Sequence, residues 1–155
     1  MNFHFATAWE VVAQRYPNRL ATIADNKSTT WQEFEKRAAS LAALMESCGM
    51  GANSKAALYL HNSNEYLEAQ FAIFKLGACP INVNYRYKAD ELVYLIDNSD
   101  SEVVFYQACY AMRIWEIKKR VPKVKLFVQI DDGTEMLLKD SVDYEKAIRD
   151  HRPLP

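Results

Sequence analysis

Glycine, cysteine and excess charge of either sign are all scarce in this 155-residue sequence, and each shortage excludes a class of protein. Only four residues are glycine while half of the chain is hydrophobic, a composition typical of a packed globular segment and not of a disordered or fibrous one. Nineteen basic residues balance twenty acidic ones, so the sequence predicts no nucleic-acid or anionic-membrane surface. No apolar run approaches the roughly 18 residues of a transmembrane segment, and no signal peptide is predicted at the N-terminus.

The three cysteines, Cys48, Cys79 and Cys109, are odd in number and include no Cys-x-x-Cys pair. This spacing indicates neither a zinc site nor a redox dithiol. We therefore expect three reduced thiols that are buried or half-buried, no metal site, and a cytoplasmic location.

Apolar periodicity predicts the fold class. Short β-rich segments begin near residues 55, 79, 103 and 125, and segments with helical spacing of apolar residues separate them. Strands and helices that alternate in this way are typical of βαβ units, which predict an α/β fold with a mostly parallel sheet flanked by helices. The pattern does not determine the strand order. We predict one α/β segment over residues 1–155, with 151–155 as a linker stub.

The N-terminal part is predicted to add a helix over residues 3–16 and a β-hairpin over residues 20–31. A capping box of Thr30 and Glu33 then begins a long helix, which we expect to end at Gly49 and Gly51. A final helix is predicted from about Val142 to Asp150.

The central stretch, residues 75–96, contains a helix end, a strand, a loop and a helix start. Gly77 lacks a Cβ and suits the left-handed conformation that ends many helices. Residues 80–84 alternate apolar and polar side chains, as a strand does, and helical spacing resumes at Ala89. Arg86 is placed in the loop between them.

Three blocks of sequence resemble the N-terminal part of adenylate-forming acyl-CoA synthetases. They are residues 30–42, residues 57–67 and residues 75–87, the last continuing to residue 97. The Asn-Val-Asn-Tyr-Arg form of the third block, residues 82–86, looks most like the fatty-acid-activating members. The resemblance covers about residues 9–106 in the correct order and spacing.

This resemblance implies an ATP-dependent ligase that converts a carboxylate into an acyl-adenylate and then into an acyl-CoA. ATP, Mg and CoA are thus implied for a full-length member of the family. The Ser/Thr/Gly-rich phosphate loop ending in Lys is not in this sequence, and the nearest approach, residues 131–134, carries two acids where a phosphate would sit. We therefore expect no catalytic residue and no bound cofactor in this segment alone.

The leading hypothesis is a structural N-terminal segment whose partner is the remainder of the synthetase chain. The alternative is a standalone truncated paralogue that acts as an interaction module, and unpaired sheet edges make a homo-oligomer compatible with either hypothesis. A small nucleotide-binding protein is disfavoured because the chain lacks a Gly-rich phosphate loop.

Arg86 is the one candidate site residue, because it matches the arginine of the family's Asn-x-Arg block. The resemblance implies a contact with a phosphate of CoA, which a guanidinium can bind in a bidentate manner. The alternative is that Arg86 forms an ion pair with Asp90 or Glu91 and orders the start of the following helix.

Other polar features favour structural roles. His61 follows a strand at the edge where open α/β sheets bind ligands, but no Ser, Cys or Asp partner is predicted for it, so we interpret it as a loop histidine. His4 and His151 receive no role. The basic run 118–120 is predicted to complement a helix end, and Asp131–Asp132 is predicted to form a turn. The following aromatic residues are predicted to pack in the core and not to line an acyl pocket: Trp9, Trp31, Phe34, Tyr66, Phe71 and Phe74.

Overall fold

The computed structural model describes residues 4–153, in which helices and strands alternate along the chain. The α-helices are α1 (Phe5–Arg15), α2 (Trp31–Ser47), α3 (Asn64–Lys75), α4 (Ala89–Asn98), α5 (Ala111–Ile117) and α6 (Tyr144–Asp150). Short 3-10 turns at Ala108–Tyr110 and Lys118–Arg120 flank α5. The strands are β1 (Leu20–Ala24), β2 (Lys27–Thr30), β3 (Lys55–Tyr59), β4 (Cys79–Asn82), β5 (Val103–Gln107), β6 (Leu126–Ile130) and β7 (Val142–Asp143).

A parallel sheet in the order β4–β3–β5–β6–β7 forms the centre of the fold, and β1 and β2 form a separate antiparallel hairpin. The α/β class, the parallel sheet and the N-terminal hairpin are therefore confirmed. The strand order, which the sequence pattern did not determine, places β3 between β4 and β5. The chain thus adds β4 on one side of β3 and every later strand on the other side.

The last helix is shorter than predicted because Val142 and Asp143 form β7 and pair in parallel with β6. The α6 helix begins at Tyr144, and the Asp143 carboxylate caps it by accepting the Lys146 N–H at 2.7 Å. The predicted helix start at Val142 was wrong, since the sequence pattern of a helix gives no separate signal for a two-residue strand.

Two predicted boundaries extend beyond the described residues. The first helix was predicted from Phe3, which lies outside them, and α1 runs from Phe5 to Arg15. The proposed linker stub, 151–155, follows the end of α6 at Asp150, and its residues 154 and 155 also lie outside them.

Capping hydroxyl groups fix the starts of α2 and α3, and the Thr30 cap is the one that the sequence predicted. Thr30 Oγ1 accepts the Glu33 N–H at 3.3 Å, and Ser63 Oγ accepts the Tyr66 N–H at 3.2 Å at the start of α3. Gly77 has a φ of +65°, and its N–H donates to the Phe74 carbonyl at 3.0 Å. Gly77 therefore ends α3 in the left-handed conformation that favours glycine.

Alternating side chains along the strands divide the core into two layers. Leu58 and Phe105 face a layer that α1, α2, α3 and α6 cover, whereas Tyr59 and Tyr106 face the layer of α4 and α5. These four residues are fully buried. Because successive strand residues point to opposite faces, nearly continuous apolar strands such as β5 are the expected signature of a sheet covered on both sides.

An aromatic cluster joins α1, α2 and α3. The Trp9 ring lies 5.7 Å from Phe34, 5.1 Å from Phe71 and 6.0 Å from Phe74 between ring centroids. The Trp31 ring adds an edge contact to Phe34 at 5.8 Å. These distances are those of packed aromatic pairs, so the structure supports the predicted core role of these rings.

A buried carboxylate ties α2, α3 and α6 together. Glu68, 2% exposed, accepts a hydrogen bond from Arg37 Nε at 2.9 Å and one from the Tyr144 hydroxyl at 2.7 Å. Arg37 also donates two hydrogen bonds to the half-exposed Glu145, at 2.6 and 3.0 Å. Burial raises the pKa of the Glu68 carboxyl, and the Arg37 charge opposes this shift.

The cysteines are free thiols, but they are less buried than predicted. Cys48 is half-buried, whereas Cys79 and Cys109 are exposed. The expectation of buried or half-buried thiols was wrong for these two because Cys79 lies on the edge strand β4 and Cys109 lies beyond the end of β5. Over residues 4–153, the model contains no helix that is long and apolar enough to span a bilayer.

Candidate functional site at the carboxyl edge of the sheet

The chain segments that follow β3, β4 and β5 meet at the carboxyl edge of the sheet. The edge between β3 and β5 is where the direction of strand addition reverses, because β4 lies on the other side of β3. Open α/β sheets bind ligands in the crevice that such a reversal creates. His61, Arg86 and Tyr110 all lie in these segments, so this edge is the candidate site.

His61 lies in an aromatic setting. Its backbone N–H donates to Gln107 Oε1 at 2.8 Å, and its ring nitrogen Nε2 is hydrogen-bonded to the Tyr110 hydroxyl. The Tyr85 ring packs edge-on against the imidazole with 4.7 Å between centroids. Among the described residues no Ser, Cys or carboxylate group hydrogen-bonds the ring, whose neighbours are the Tyr110 hydroxyl and the Tyr85 ring.

Tyr110 is held neutral at this edge. Partial burial, followed by the nearby Cys109 and Tyr59 groups, raises the pKa of Tyr110 to about 12. The phenol therefore keeps its proton at neutral pH and can take part in a hydrogen bond with His61 without carrying a charge.

Tyr59 and Arg113 anchor the loop that carries Arg86. The Tyr85 and Tyr87 carbonyls share the single hydroxyl proton of Tyr59, at oxygen–oxygen distances of 3.2 and 3.1 Å. Arg113 Nη1 donates to the Tyr59 hydroxyl at 2.9 Å and to the Tyr87 carbonyl at 2.7 Å. Burial raises the pKa of Tyr59, and the Arg113 hydrogen bond opposes this shift. The backbone on both sides of Arg86 is thus fixed from the core.

Arg86 itself is exposed, with its guanidinium carbon 5.6 Å from the centroid of the Tyr85 ring. Its predicted alternative partners are occupied elsewhere: Asp90 pairs with Arg120 at 2.7 Å, and Glu91 caps α4 by accepting the Lys88 N–H at 2.9 Å. Within residues 4–153, Arg86 forms no ion pair. The guanidinium is therefore free to meet an anion from solvent.

The acidic residues after β6 form a turn, as predicted. Asp131 Oδ1 accepts the Gly133 N–H at 2.9 Å, and Asp132 Oδ1 accepts the Thr134 N–H at 3.1 Å. Asp132 also accepts the Cys109 N–H at 3.0 Å through its other oxygen. The described residues contain no group of three or more side chains arranged to hold a metal ion.

Cys109 is a poor nucleophile in this position. Partial burial, followed by the Asp132 carboxylate, raises the pKa of its thiol to about 11. Because the thiolate is the reactive form, this shift favours an inert thiol.

The basic run 118–120 lies at the end of α5, as predicted, and bonds to neighbouring groups. Lys118 Nζ donates to the Lys139 carbonyl at 3.1 Å and lies 3.6 Å from the Asp140 carboxylate. Arg120 binds Asp90. Lys118 and Arg120 are thus engaged within the molecule.

Sequence reasoning missed the residues that organise this edge, namely Tyr59, Gln107, Tyr110 and Arg113. Gln107 is the last residue of β5 and Tyr110 follows it, just as His61 follows β3, so the signal was their shared position at the end of a strand. That signal becomes specific only once β3 and β5 are known to be neighbours.

The chain belongs to the AMP-binding enzyme family, whose model matches residues 9–154. This match confirms the resemblance described from the sequence blocks.

Two relatives of this chain are named as CoA ligases. The chain is 32% identical over 155 residues to 3-oxocholest-4-en-26-oate–CoA ligase of Rhodococcus rhodochrous, covering 99% of this chain and 28% of that protein. It is also 32% identical over 153 residues to the medium-chain acyl-CoA ligase Mig of Mycobacterium avium, covering 90% and 28%. The chain thus spans little more than a quarter of the length of these relatives.

Solved structures confirm the fold. An anthranilate CoA ligase in complex with anthranoyl-AMP superposes with a TM-score of 0.89 at 19% identity, covering 97% of this chain and 28% of that one. A benzoate CoA ligase from Burkholderia xenovorans gives a TM-score of 0.80 at 18% identity, with coverage of 97% and 29%.

Proposed function

We propose that this chain is the N-terminal structural segment of an ATP-dependent fatty-acid–CoA ligase. The observation that carries the proposal is the family match over residues 9–154, together with relatives named as CoA ligases of which the chain spans 28%. The names of these relatives refer to a medium-chain acyl group and to 3-oxocholest-4-en-26-oate, a steroid acid. Both support a largely apolar carboxylic acid as the substrate of the whole enzyme.

In the whole enzyme a carboxylate attacks the α-phosphorus of Mg-ATP and expels pyrophosphate, and the thiol of CoA then displaces AMP from the acyl-adenylate. Stabilising that chemistry takes cations and backbone N–H donors placed against the phosphates. The residues described here do not fit a triphosphate, because the only Gly-containing turn after a sheet strand presents Asp131 and Asp132. No step of adenylate formation is therefore assigned to this segment.

The contribution we assign to this segment is mechanical. The Glu68 hydrogen bonds and the aromatic cluster hold the helices rigidly on one face of the sheet, and the sheet supports the parts of the ligase that bind ATP. The isolated chain is then inactive. Carboxylate-dependent exchange of pyrophosphate into ATP, measured on the purified chain with fatty acids, should equal the protein-free blank. Exchange above the blank that scales with protein concentration would overturn this assignment.

Arg86 is our candidate for a contact with a phosphate of CoA. Its support is the exposed guanidinium, which has no ion-pair partner among the described residues. Tyr59 and Arg113 fix the loop that carries it in place. In an active ligase that contains this segment, Arg86→Ala should raise the KM for CoA about tenfold, the loss of one charge-assisted hydrogen bond. The rate of pyrophosphate exchange, which does not involve CoA, should stay unchanged.

Arg120→Ala serves as the matched control for this test, because Arg120 is also exposed but already pairs with Asp90. An unchanged KM for CoA in Arg86→Ala would remove Arg86 from the site. An equal rise in both variants would show a general effect of surface charge.

We also propose a cytoplasmic location and self-association of the isolated chain. Free Cys48, Cys79 and Cys109 support the reducing compartment. Exposed apolar side chains on α5, Met112 at 65% and Trp115 at 53% exposure, support association.

A further inference from the structure

A groove lies between the hairpin and the start of α3, beside an edge of β1 that no other strand in the described part of the chain covers. It is lined by residues 21–24 of β1 and by residues 62–64, 66 and 67, and it has a volume of about 410 Å³. We call it the hairpin groove. Its lining includes neither Arg86 nor Tyr110.

Two buried oxygen atoms on the walls of the hairpin groove have no hydrogen-bond partner within residues 4–153. They are Thr22 Oγ1 and Asn64 Oδ1, on side chains that belong to residues 7% and 6% exposed. The Asn64 amide nitrogen does donate, to the Lys27 carbonyl at 3.3 Å, which leaves its oxygen as the unsatisfied atom. Buried polar atoms in native proteins are nearly always paired, so these two point to a missing donor.

The backbone of β1 presents a free edge to the same groove. Ala24 pairs with Lys27 across the hairpin turn, and Ile23 pairs with Ser28 next to it. Hydrogen-bonded and non-hydrogen-bonded pairs alternate in an antiparallel ladder, and the pair that closes a two-residue turn is hydrogen-bonded. The N–H and C=O groups of Ile23 therefore point away from β2, and those of Ser28 point out at the opposite edge.

The hairpin groove also has apolar walls. Ile23 is 71% exposed and Leu67 is 37% exposed. A two-stranded sheet is marginally stable alone, and an open edge with apolar side chains invites a further strand. An occupant that satisfies all of these features supplies backbone N–H and C=O groups to β1, a donor to the buried oxygens, and apolar side chains to Ile23 and Leu67.

We propose that the hairpin groove receives an extended segment from the rest of the ligase chain, which adds to β1 as a third strand. This inference rests on the function proposed above. The relatives supply the reason for this occupant, because about 28% of their length is spanned here and the remainder needs attachment surfaces. A small ligand would not cover Ile23, and a strand does so while pairing the free edge.

Hydrogen exchange measured by mass spectrometry tests the proposal on two proteins. One is the isolated chain, and the other is a chimera in which this chain replaces the matched 28% of the Rhodococcus ligase. The amides of residues 21–24 should exchange at least about tenfold more slowly in the chimera, as expected when an edge becomes an inner strand. Carboxylate-dependent pyrophosphate exchange by the same chimera reports separately on the proposed function.

The outcomes separate the two proposals. An active chimera with residues 21–24 protected supports both. An active chimera in which these amides exchange as fast as in the isolated chain overturns the strand addition and leaves the proposed function intact. A chimera that folds but lacks activity, with these amides unprotected, overturns both. Protection in the isolated chain that grows with protein concentration assigns the groove to a second copy and also overturns the proposal.

Paired variants test whether chimera activity depends on the groove edge of the hairpin and not on its opposite edge. Ile23→Pro removes the N–H that points into the hairpin groove, whereas Ser28→Pro removes the N–H at the opposite edge. We expect the first variant to lose about fivefold in chimera activity and the second less than about twofold, since one ladder hydrogen bond is lost in the first case. Ile23→Lys and Ser28→Lys repeat the comparison without proline, and equal losses within each pair would contradict the assignment.

Discussion

Replacing Arg37 with alanine tests how the helical face of the fold is held together. Arg37 is the counter-charge of the buried Glu68, whose carboxylate is 2% exposed and lies 2.9 Å from the Arg37 Nε. The change leaves that carboxylate with the Tyr144 hydroxyl alone and also removes the half-exposed pair with Glu145. Breaking a buried pair from one side costs about 3–5 kcal/mol, and we expect the lower end because the Arg37 side chain is 23% exposed.

Urea unfolding followed by tryptophan fluorescence measures this loss. A loss of about 3 kcal/mol with a slope of about 2 kcal/mol per molar urea lowers the unfolding midpoint by about 1.5 M. Arg120→Ala is the control, since its pair with Asp90 is exposed on both sides and should contribute no more than about 1 kcal/mol. Equal midpoints for the two variants would refute the assigned role of the buried pair.

The pH dependence of the same variant provides an independent check. Burial raises the pKa of Glu68 in the folded state above its unfolded value, and removing the opposing Arg37 charge raises this pKa further. A raised folded pKa favours the protonated form, so this contribution to stability is present below the unfolded pKa and is lost as pH rises through the folded pKa. The destabilisation of Arg37→Ala should therefore be smaller at pH 5 than at pH 8, and the reverse trend would contradict it.

Two further predictions concern the backbone and the surface. Gly77→Ala should lower the free energy of unfolding by about 1 kcal/mol, because alanine is strained at a φ of +65°. Gly51 is the control, since its φ is negative and an added Cβ would meet nothing within 4 Å. Gly51→Ala should therefore change the free energy of unfolding by less than about 0.5 kcal/mol. Equal urea midpoints for these variants would contradict the Gly77 assignment. Light scattering after size-exclusion chromatography should show the isolated chain as more than a monomer, while Trp115→Ser should shift it toward the monomer; a monomer at all concentrations would contradict self-association.

The sequence predicts those parts of the fold that have a local cause. Thr30 and Ser63 cap helices because a hydroxyl can accept an N–H three residues ahead, and Gly77 ends α3 because it lacks a Cβ. The family resemblance identified the class of enzyme because its three blocks are runs of neighbouring residues.

The missed features depend on contacts between distant residues. Asp100, at a φ of +55°, takes at the end of α4 the left-handed conformation that Gly77 takes at the end of α3, a conformation that aspartate tolerates better than most residues. Strand β7 exists only because β6 is beside it, and Tyr110 reaches His61 across 49 positions only because β3 and β5 are neighbours. The order of strands in a parallel sheet is set by packing of the crossover helices, which periodicity does not report.

Pyrophosphate exchange compared side by side in the isolated chain and in the Rhodococcus chimera tests the central claim most directly. We predict no carboxylate-dependent exchange by residues 1–155 alone, and exchange well above that blank once they are joined to the rest of a ligase. Exchange by the isolated chain, or a folded chimera without exchange, would contradict the assignment of this segment as the structural N-terminal part of an acyl-CoA ligase.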